Sequence, residues 1–583
     1  MEHLVASLIG LRSALGDLDV SLPLADTVDT QRVLAELVGQ IDDYLLPRLA
    51  RMDAPLLVVL GGSTGAGKST ITNSLVGDVV SLAGVLRPST RTPVLVCNAA
   101  DSEWFLRGDL SAATGVEADA ASLVDSGTIL PGLARSTGDR PVGSGLHVVQ
   151  HDRVPRGLAL LDAPDIDSVE TANHELAAQL LGAADVWLFV TTASRYADAV
   201  PWDYLRRARD RAVALAVVVN RIPTGAADDV LVHLAEMLDE QGLGAIRLFP
   251  IEETGGDAEG RLELSDVSDL QEWLTGLVAD DAHRDEVVWT TLEGTLDSIP
   301  ARVTSIAAGV EAQVAAIDAL RLVAVDRYHD ALGALDDELS NGVLLRGEVL
   351  DRWREHVGTS AFMDRLQQGV GRLCSRLRHL VTRTPVPVEA AQDQLESNLS
   401  TLVTNHADRA ALGTVTEWEA STAGATVLAT AERGIDRPTP GLAARLDREL
   451  DEWHDEVLTL VQTRSGSKLA VARALSLGLN GVGVALMIAV FSQTGGFTGA
   501  EAGVAAGTAA VSQTLLTAIF GENAVRDLVR DARYSLQLRL AGLFEVERSR
   551  FDALLGPHSS HDQLDVLLGA HEQLVAASSE RRR

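Results

Sequence analysis

The 583-residue sequence predicts an α/β domain, with a mostly parallel sheet built around a phosphate-binding loop. That domain is joined to a long α-helical bundle, or trunk, carrying an apolar helical hairpin. Three observations predict this. Residues 56–77, LLVVLGGSTGAGKSTITNSLVG, pass from an apolar run through a glycine-rich loop into helical spacing. Apolar strand candidates then alternate with helices up to about residue 280, which implies a parallel sheet covered by helices. Beyond about residue 284 the strands stop, and apolar residues recur every three or four positions.

Composition narrows the function classes. A hydrophobic content of 46% supports a substantial core, and the length allows about three or four domains. A formal charge of −33 argues against a nucleic-acid partner, whose footprint is usually basic. Local basic flanks can still meet a membrane. Cys97 and Cys374 form neither a disulfide framework nor a zinc spacing, in keeping with a reducing compartment. The first twenty residues are acidic and amphipathic, unlike a signal peptide.

Residues 1–53 read as helices that pack on the trunk or neck, with a break near Ser21-Leu22-Pro23-Leu24. Residues 54–282 form the α/β domain. Its strand candidates are Leu56–Leu60, Val94–Val96, Leu158–Leu161, Val186–Val190, Ala214–Val219 and Ile246–Ile251. The stretch from about 100 to 145, rich in Gly, Ala and Asp, reads as an insertion or surface loop.

Gly62, Ser63, Thr64, Gly65, Ala66, Gly67, Lys68 and Ser69 fit G-x-x-x-x-G-K-[ST] without a mismatch, and Thr70 continues into the helix. Lys68 is one of two lysines in a chain that otherwise uses arginine; the other is Lys468. A compact ammonium on a flexible stem can sit between the β- and γ-phosphates, where a planar guanidinium fits poorly. The loop amides and the helix dipole favour phosphate oxygens, and the Ser69 hydroxyl suits Mg²⁺. Asp162, ending the strand 158–161, stands where an acid orients that ion through water.

Residues 283–470 read as the trunk. Leu292, Leu296, Ile299, Val303, Ile306, Val310, Val314 and Ile317 make one apolar stripe, interrupted only by Pro300, with a further break at Thr384-Pro385-Val386-Pro387. Residues 471–523 hold the apolar segment. Glu501 separates two uncharged runs, 474–500 and 502–521, each as long as the roughly 20 residues a membrane helix needs. Arg464, Lys468 and Arg473 precede the segment and Arg526, Arg530 and Arg533 follow it, which would keep both ends cytoplasmic. Length favours membrane insertion, and small residues let two helices pack closely in lipid; the mild hydrophobicity of the runs leaves a hairpin buried in protein as the alternative. Residues 524–583 read as a returning trunk helix and a basic C-terminal tail.

Between the phosphate loop and Asp162 lies GVLRPSTRTPVLV, residues 84–96. Thr90, followed by Arg91, Thr92 and Pro93, resembles the first switch region of dynamin-like proteins, where a threonine caps Mg²⁺ and the γ-phosphate. The order of parts resembles bacterial dynamin-like GTPases over nearly the whole chain, and the arginine-rich, lysine-poor composition resembles an actinobacterial protein. This resemblance implies an α/β P-loop GTPase-like domain that binds GTP, or ATP, with Mg²⁺ and hydrolyses it. Lys68 and Thr90 would be catalytic, and Ser69, Thr90 and Asp162 would serve the metal. It also implies membrane lipid as a partner, self-association through G domain and trunk, a paired dynamin-like protein, and a place on the cytoplasmic side of the cell membrane.

Two departures mark the G domain as divergent. The family's D-x-P-G reads Asp162-Ala163-Pro164-Asp165, which restricts φ and sets a carboxylate near a polyanion. The base-recognition sequence [NT]-K-x-D reads Asn220-Arg221-Ile222-Pro223. Asn220 and Arg221 can still hold a purine, but the carboxylate that would pair with guanine is absent at 223. Pro223 leaves an ATP-binding relative as an alternative, Asp165 a non-hydrolysing membrane scaffold, and a hairpin buried in protein a soluble regulatory GTPase.

Overall fold

The computed structural model describes residues 2–81, 92–106, 130, 133, 135–137, 145–167, 171–210, 213–244, 246–254, 257, 261–340, 387–464, 485–490, 516–517, 520–558 and 561–582. Two compact units emerge: residues 1–20, 25–312 and 560–583 form one, and residues 21–24 and 313–559 the other.

In the first unit, helices α1 (Glu2–Gly16), α2 (Thr27–Gln40) and α3 (Leu46–Ala50) precede the sheet, with a π-helical turn at Ile41–Leu45 between the last two. The strands are β1 (Leu56–Gly62), β2 (Val94–Cys97), β3 (Arg135–Ser136), β4 (Leu146–Gln150), β5 (Leu158–Asp162), β6 (Val186–Thr192), β7 (Ala214–Ile222) and β8 (Arg247–Glu252). Their order in space is β3-β4-β2-β5-β1-β6-β7-β8, parallel except where β2 meets β5. Interleaved with them are α4 (Lys68–Val76), α5 (Glu103–Leu106), α6 (Thr171–Gly182), α7 (Ala199–Asp210), α8 (Ala227–Glu240) and α9 (Ser268–Leu277).

Every residue of β1 is buried, as a central parallel strand covered on both faces requires. Leu56, Val58 and Leu60 face a core shared with α1, α3, α4 and α9, whereas Leu57 and Val59 face α6, α7 and α8. The six strand candidates all form. Strand β3, two polar residues at the sheet edge, lies inside the stretch read as an insertion, and β4, LHVVQ, pairs beside it just after that stretch.

Helix α10 (Asp281–Ser340) runs through Pro300, and the whole stripe from Leu292 to Ile317 is buried. Residues 1–20 and 25–312 and the C-terminal helix α15 (His561–Arg582) belong to the first unit, where Leu567 and Leu574 join the core of α1.

The second unit contains α11 (Pro387–Glu419), α12 (Thr422–Ala429), α13 (Leu442–Arg464) and α14 (Glu522–Leu555), with the latter part of α10. Its core includes Tyr328, Trp418, Trp453, Phe544 and Phe551. The indole nitrogen of Trp418 donates to Leu320 O at 2.9 Å and that of Trp453 to Ala532 O at 2.8 Å. Lys468, Cys374 and most of the apolar segment 474–521 lie outside the described residues. Among the described residues no helix is long and apolar enough to cross a membrane.

Candidate nucleotide-binding site

The site begins where β1 ends. Gly62 has φ +153° and Gly67 φ +103°, backbone that favours glycine. A Cβ at Gly62 would collide with Val190 O on β6, and one at Gly67 with the amide nitrogen of Asn220. The loop is therefore pressed between strands, and both glycines are required sterically. Gly65 also turns through positive φ, and α4 starts at Lys68.

Lys68 is 5% exposed. Its Nζ donates to Gly62 O at 2.8 Å, to Ser63 O at 3.3 Å and to Asp165 Oδ1 at 2.5 Å. The Ser69 hydroxyl donates to Asp162 Oδ2 at 2.5 Å, and the Ser81 hydroxyl donates to the same oxygen at 2.6 Å. Asp162 is fully buried, and burial raises its pKa against the lowering effect of both hydroxyls. Its Oδ1 is buried without a hydrogen-bond partner.

An orphaned carboxylate oxygen beside a serine hydroxyl fits a hard divalent cation or its bound water. Among the described residues no cluster of three or more His, Cys, Asp or Glu side chains could hold a metal alone. That donor set suits Mg²⁺ arriving with nucleotide phosphates, held by Ser69 and reached by Asp162.

The segment after β5 lies along the loop. Ala163 N donates to Leu60 O and Ile166 N to Gly62 O. Asp167 Oδ1 accepts from the Thr64 amide at 2.6 Å and from the Thr64 hydroxyl at 2.7 Å. Arg195 donates to Asp167 Oδ2 and to Thr64 O, both at 3.1 Å. Burial pushes the Asp167 carboxyl up, but the Thr64 and Arg195 bonds outweigh it and leave its pKa below the usual value. Asp165 takes up no left-handed backbone, so the Gly-to-Asp departure costs no strain in φ.

At the base end, Asn220 Nδ2 donates to Ala66 O at 2.9 Å, tying the end of β7 to the phosphate loop. Its Oδ1 accepts from Arg221 N at 2.9 Å. Arg221 is exposed with φ +53°, a strained geometry of the kind that persists at ligand sites. The strand bulges between Val219 and Ile222, and Pro223 is exposed.

The residues brought together are Gly62 to Thr70, Asp162, Asn220 and Arg221. Thr90 and Arg91 lie outside the described residues. Ser81, Asp167 and Arg195 were not legible as site residues. Asp167 sits in an acidic run directly after β5, a weak signal; Ser81 and Arg195 stand in no motif.

Residues 58–222 match the model of the dynamin family. The matched region opens inside β1 and closes on the last residue of β7, taking in the phosphate loop, Asp162, Asn220 and Arg221. No curated protein matches the chain. Two solved structures belong to an oligomerised bacterial dynamin pair described as sensing and tethering membranes over long range. The first has TM-score 0.44 and 10% identity, covering 98% of this chain and 94% of the other. The second has TM-score 0.40 and 11% identity, covering 96% and 93%. A third, LeoA bacterial dynamin GTPase from ETEC, has TM-score 0.25 and 12% identity, covering 95% and 97%. Scores this low establish no shared arrangement of the whole chain.

Proposed function

We propose that this chain is a dynamin-like, nucleotide-dependent GTPase that remodels or tethers membranes from the cytoplasmic side of the cell membrane. The observation carrying this reading is the convergence of Lys68, Ser69, Asp162 and Asn220 on one loop within the dynamin-family region. Lys68 binds the β- and γ-phosphates, and the Ser69 hydroxyl and the Asp162 carboxylate position Mg²⁺. Thr90 is proposed to sense the γ-phosphate. Asn220 braces the loop while the stem of Arg221 lies over a purine. Held by the Ser69 hydroxyl and reached by Asp162, Mg²⁺ would supply neutralisation of the phosphate charge. The apolar segment 474–521 is proposed to insert into lipid, and G domain and trunk to support self-association or pairing with a second dynamin-like chain.

Pro223 favours a second reading, an ATP-binding relative. A site that discriminates through buried hydrogen bonds rejects analogues lacking them, and proline can neither donate nor present a carboxylate there.

Purified protein in detergent should bind GTP with Mg²⁺ and release phosphate, and Lys68→Ala should abolish both. A preference for ATP moves the chain to the second reading. Nucleotide binding that survives Lys68→Ala unchanged would falsify both.

A further inference from the structure

The groups that would grip a terminal phosphate already hold an anion belonging to the chain itself. Asp165 Oδ1 lies 2.5 Å from Lys68 Nζ, and the aspartate is only 8% exposed. Two residues on, Asp167 fills both the amide and the hydroxyl of Thr64. Between them Ile166 N is bonded to Gly62 O. Three consecutive residues are thus fastened to the loop, with one carboxylate on its ammonium and another on one of its amides. The three donors of the Lys68 ammonium are taken up by Gly62 O, Ser63 O and Asp165 Oδ1, so a phosphate oxygen must displace one of them, and the carboxylate is the one it repels.

We propose that Asp165 is a tethered competitor of the nucleotide's terminal phosphate for Lys68, and so a determinant of triphosphate affinity. This rests on the nucleotide-site reading above. The apparent dissociation constant equals the intrinsic one divided by the fraction of molecules whose site is free of the competitor. Binding must lift Asp165 off Lys68, and the γ-phosphate supplies the replacement anion. A diphosphate lacks that group, so removing the Asp165 carboxylate strengthens triphosphate binding more than diphosphate binding. The tether makes the competitor's effective concentration high and independent of protein concentration.

The test is the affinity of wild type, Asp165→Asn and Asp165→Gly for a non-hydrolysable triphosphate and for the diphosphate. Both guanine and adenine forms are titrated calorimetrically with Mg²⁺. Asparagine keeps the shape and removes the charge. Glycine removes the side chain altogether and serves if the asparagine variant melts too early to be titrated. Charge-assisted hydrogen bonds of this kind correspond to about tenfold or more, so both variants should bind triphosphate at least about tenfold more tightly, with a smaller gain for diphosphate. Triphosphate affinity equal to or weaker than wild type in a folded variant overturns the competition and leaves the nucleotide site standing. Absence of binding by wild type and both variants overturns the competition and the nucleotide-site reading together.

Discussion

Asp43 occupies the π-helical turn before α3, and its Oδ1 accepts a bond from Gln179 of α6 at 3.2 Å. Burial pushes its pKa up from 3.8 to about 7; the Gln179 bond opposes this and the neighbouring Asp42 adds to it. An acid with a native pKa above its unfolded value holds its proton more firmly when folded. Its contribution to stability is therefore fully present below pH 3.8 and is lost as pH rises through about 7. Asp43→Asn should remove this slope. Melting temperatures measured across that window should coincide with wild type at the acidic end and exceed it by a few degrees above neutrality. Equal melting curves at both ends would show that the carboxylate is solvated. Nearby, Arg48 and Asp185 form a buried bidentate pair at 3.0 and 2.6 Å, and Asp185 also accepts from Leu57 N. There the carboxylate has Arg48 as its countercharge, whereas among the described residues the hydrogen-bond partner of Asp43 is the neutral Gln179.

At the scale of elements, α1 and α15 bring the two ends of the chain together in one core. Leu567 and Leu574 are 0% and 2% exposed against a cluster that includes Leu4, Leu8 and Leu11. The Arg581 guanidinium lies 3.4 Å from the Trp289 ring centroid and its Nη2 pairs with Glu293 at 3.3 Å, adding a cation–π contact at the rim. Neither helix could bury its apolar stripe alone. Leu574→Ala should cost about 2–5 kcal/mol in the unfolding transition of the first unit, read by urea titration of a signal from that unit. A loss under a few tenths of a kcal/mol, within the noise expected of surface changes, would show that α15 docks loosely. The phosphate loop shows the same dependence in miniature, since Gly62 and Gly67 are set by β6 and by Asn220 of β7. Loop sequence alone gives the motif; neighbouring strands give its shape.

For the molecule as a whole, charge and apolar length set the terms of any encounter with lipid. Under the proposed function, a net charge of −33 opposes anionic headgroups, so the lipid contact is assigned to the apolar segment 474–521 and its arginine flanks. Flotation on neutral phosphatidylcholine vesicles should therefore persist at high salt, because apolar insertion is not screened as surface charge is. Deleting 474–521 should abolish it. Flotation that survives the deletion would place the lipid-binding surface elsewhere in the chain.

The sequence by itself determined the class of the first unit and the centre of its site. Apolar runs of strand length alternating with helices give the sheet, and one uninterrupted motif gives Gly62 to Ser69. It also determined the stripe on α10, because a period near 3.6 survives any tertiary context. Only the tertiary structure decided that α15 returns to α1, since two amphipathic helices hundreds of residues apart carry no local sign of being partners. It alone decided that Asp165 reaches Lys68 and that Asp167 and Arg195 meet at Thr64. An aspartate in place of a glycine can be read in the sequence as a departure. Which cation it finds depends on a hydrogen-bonded path along β1 that only the folded sheet provides.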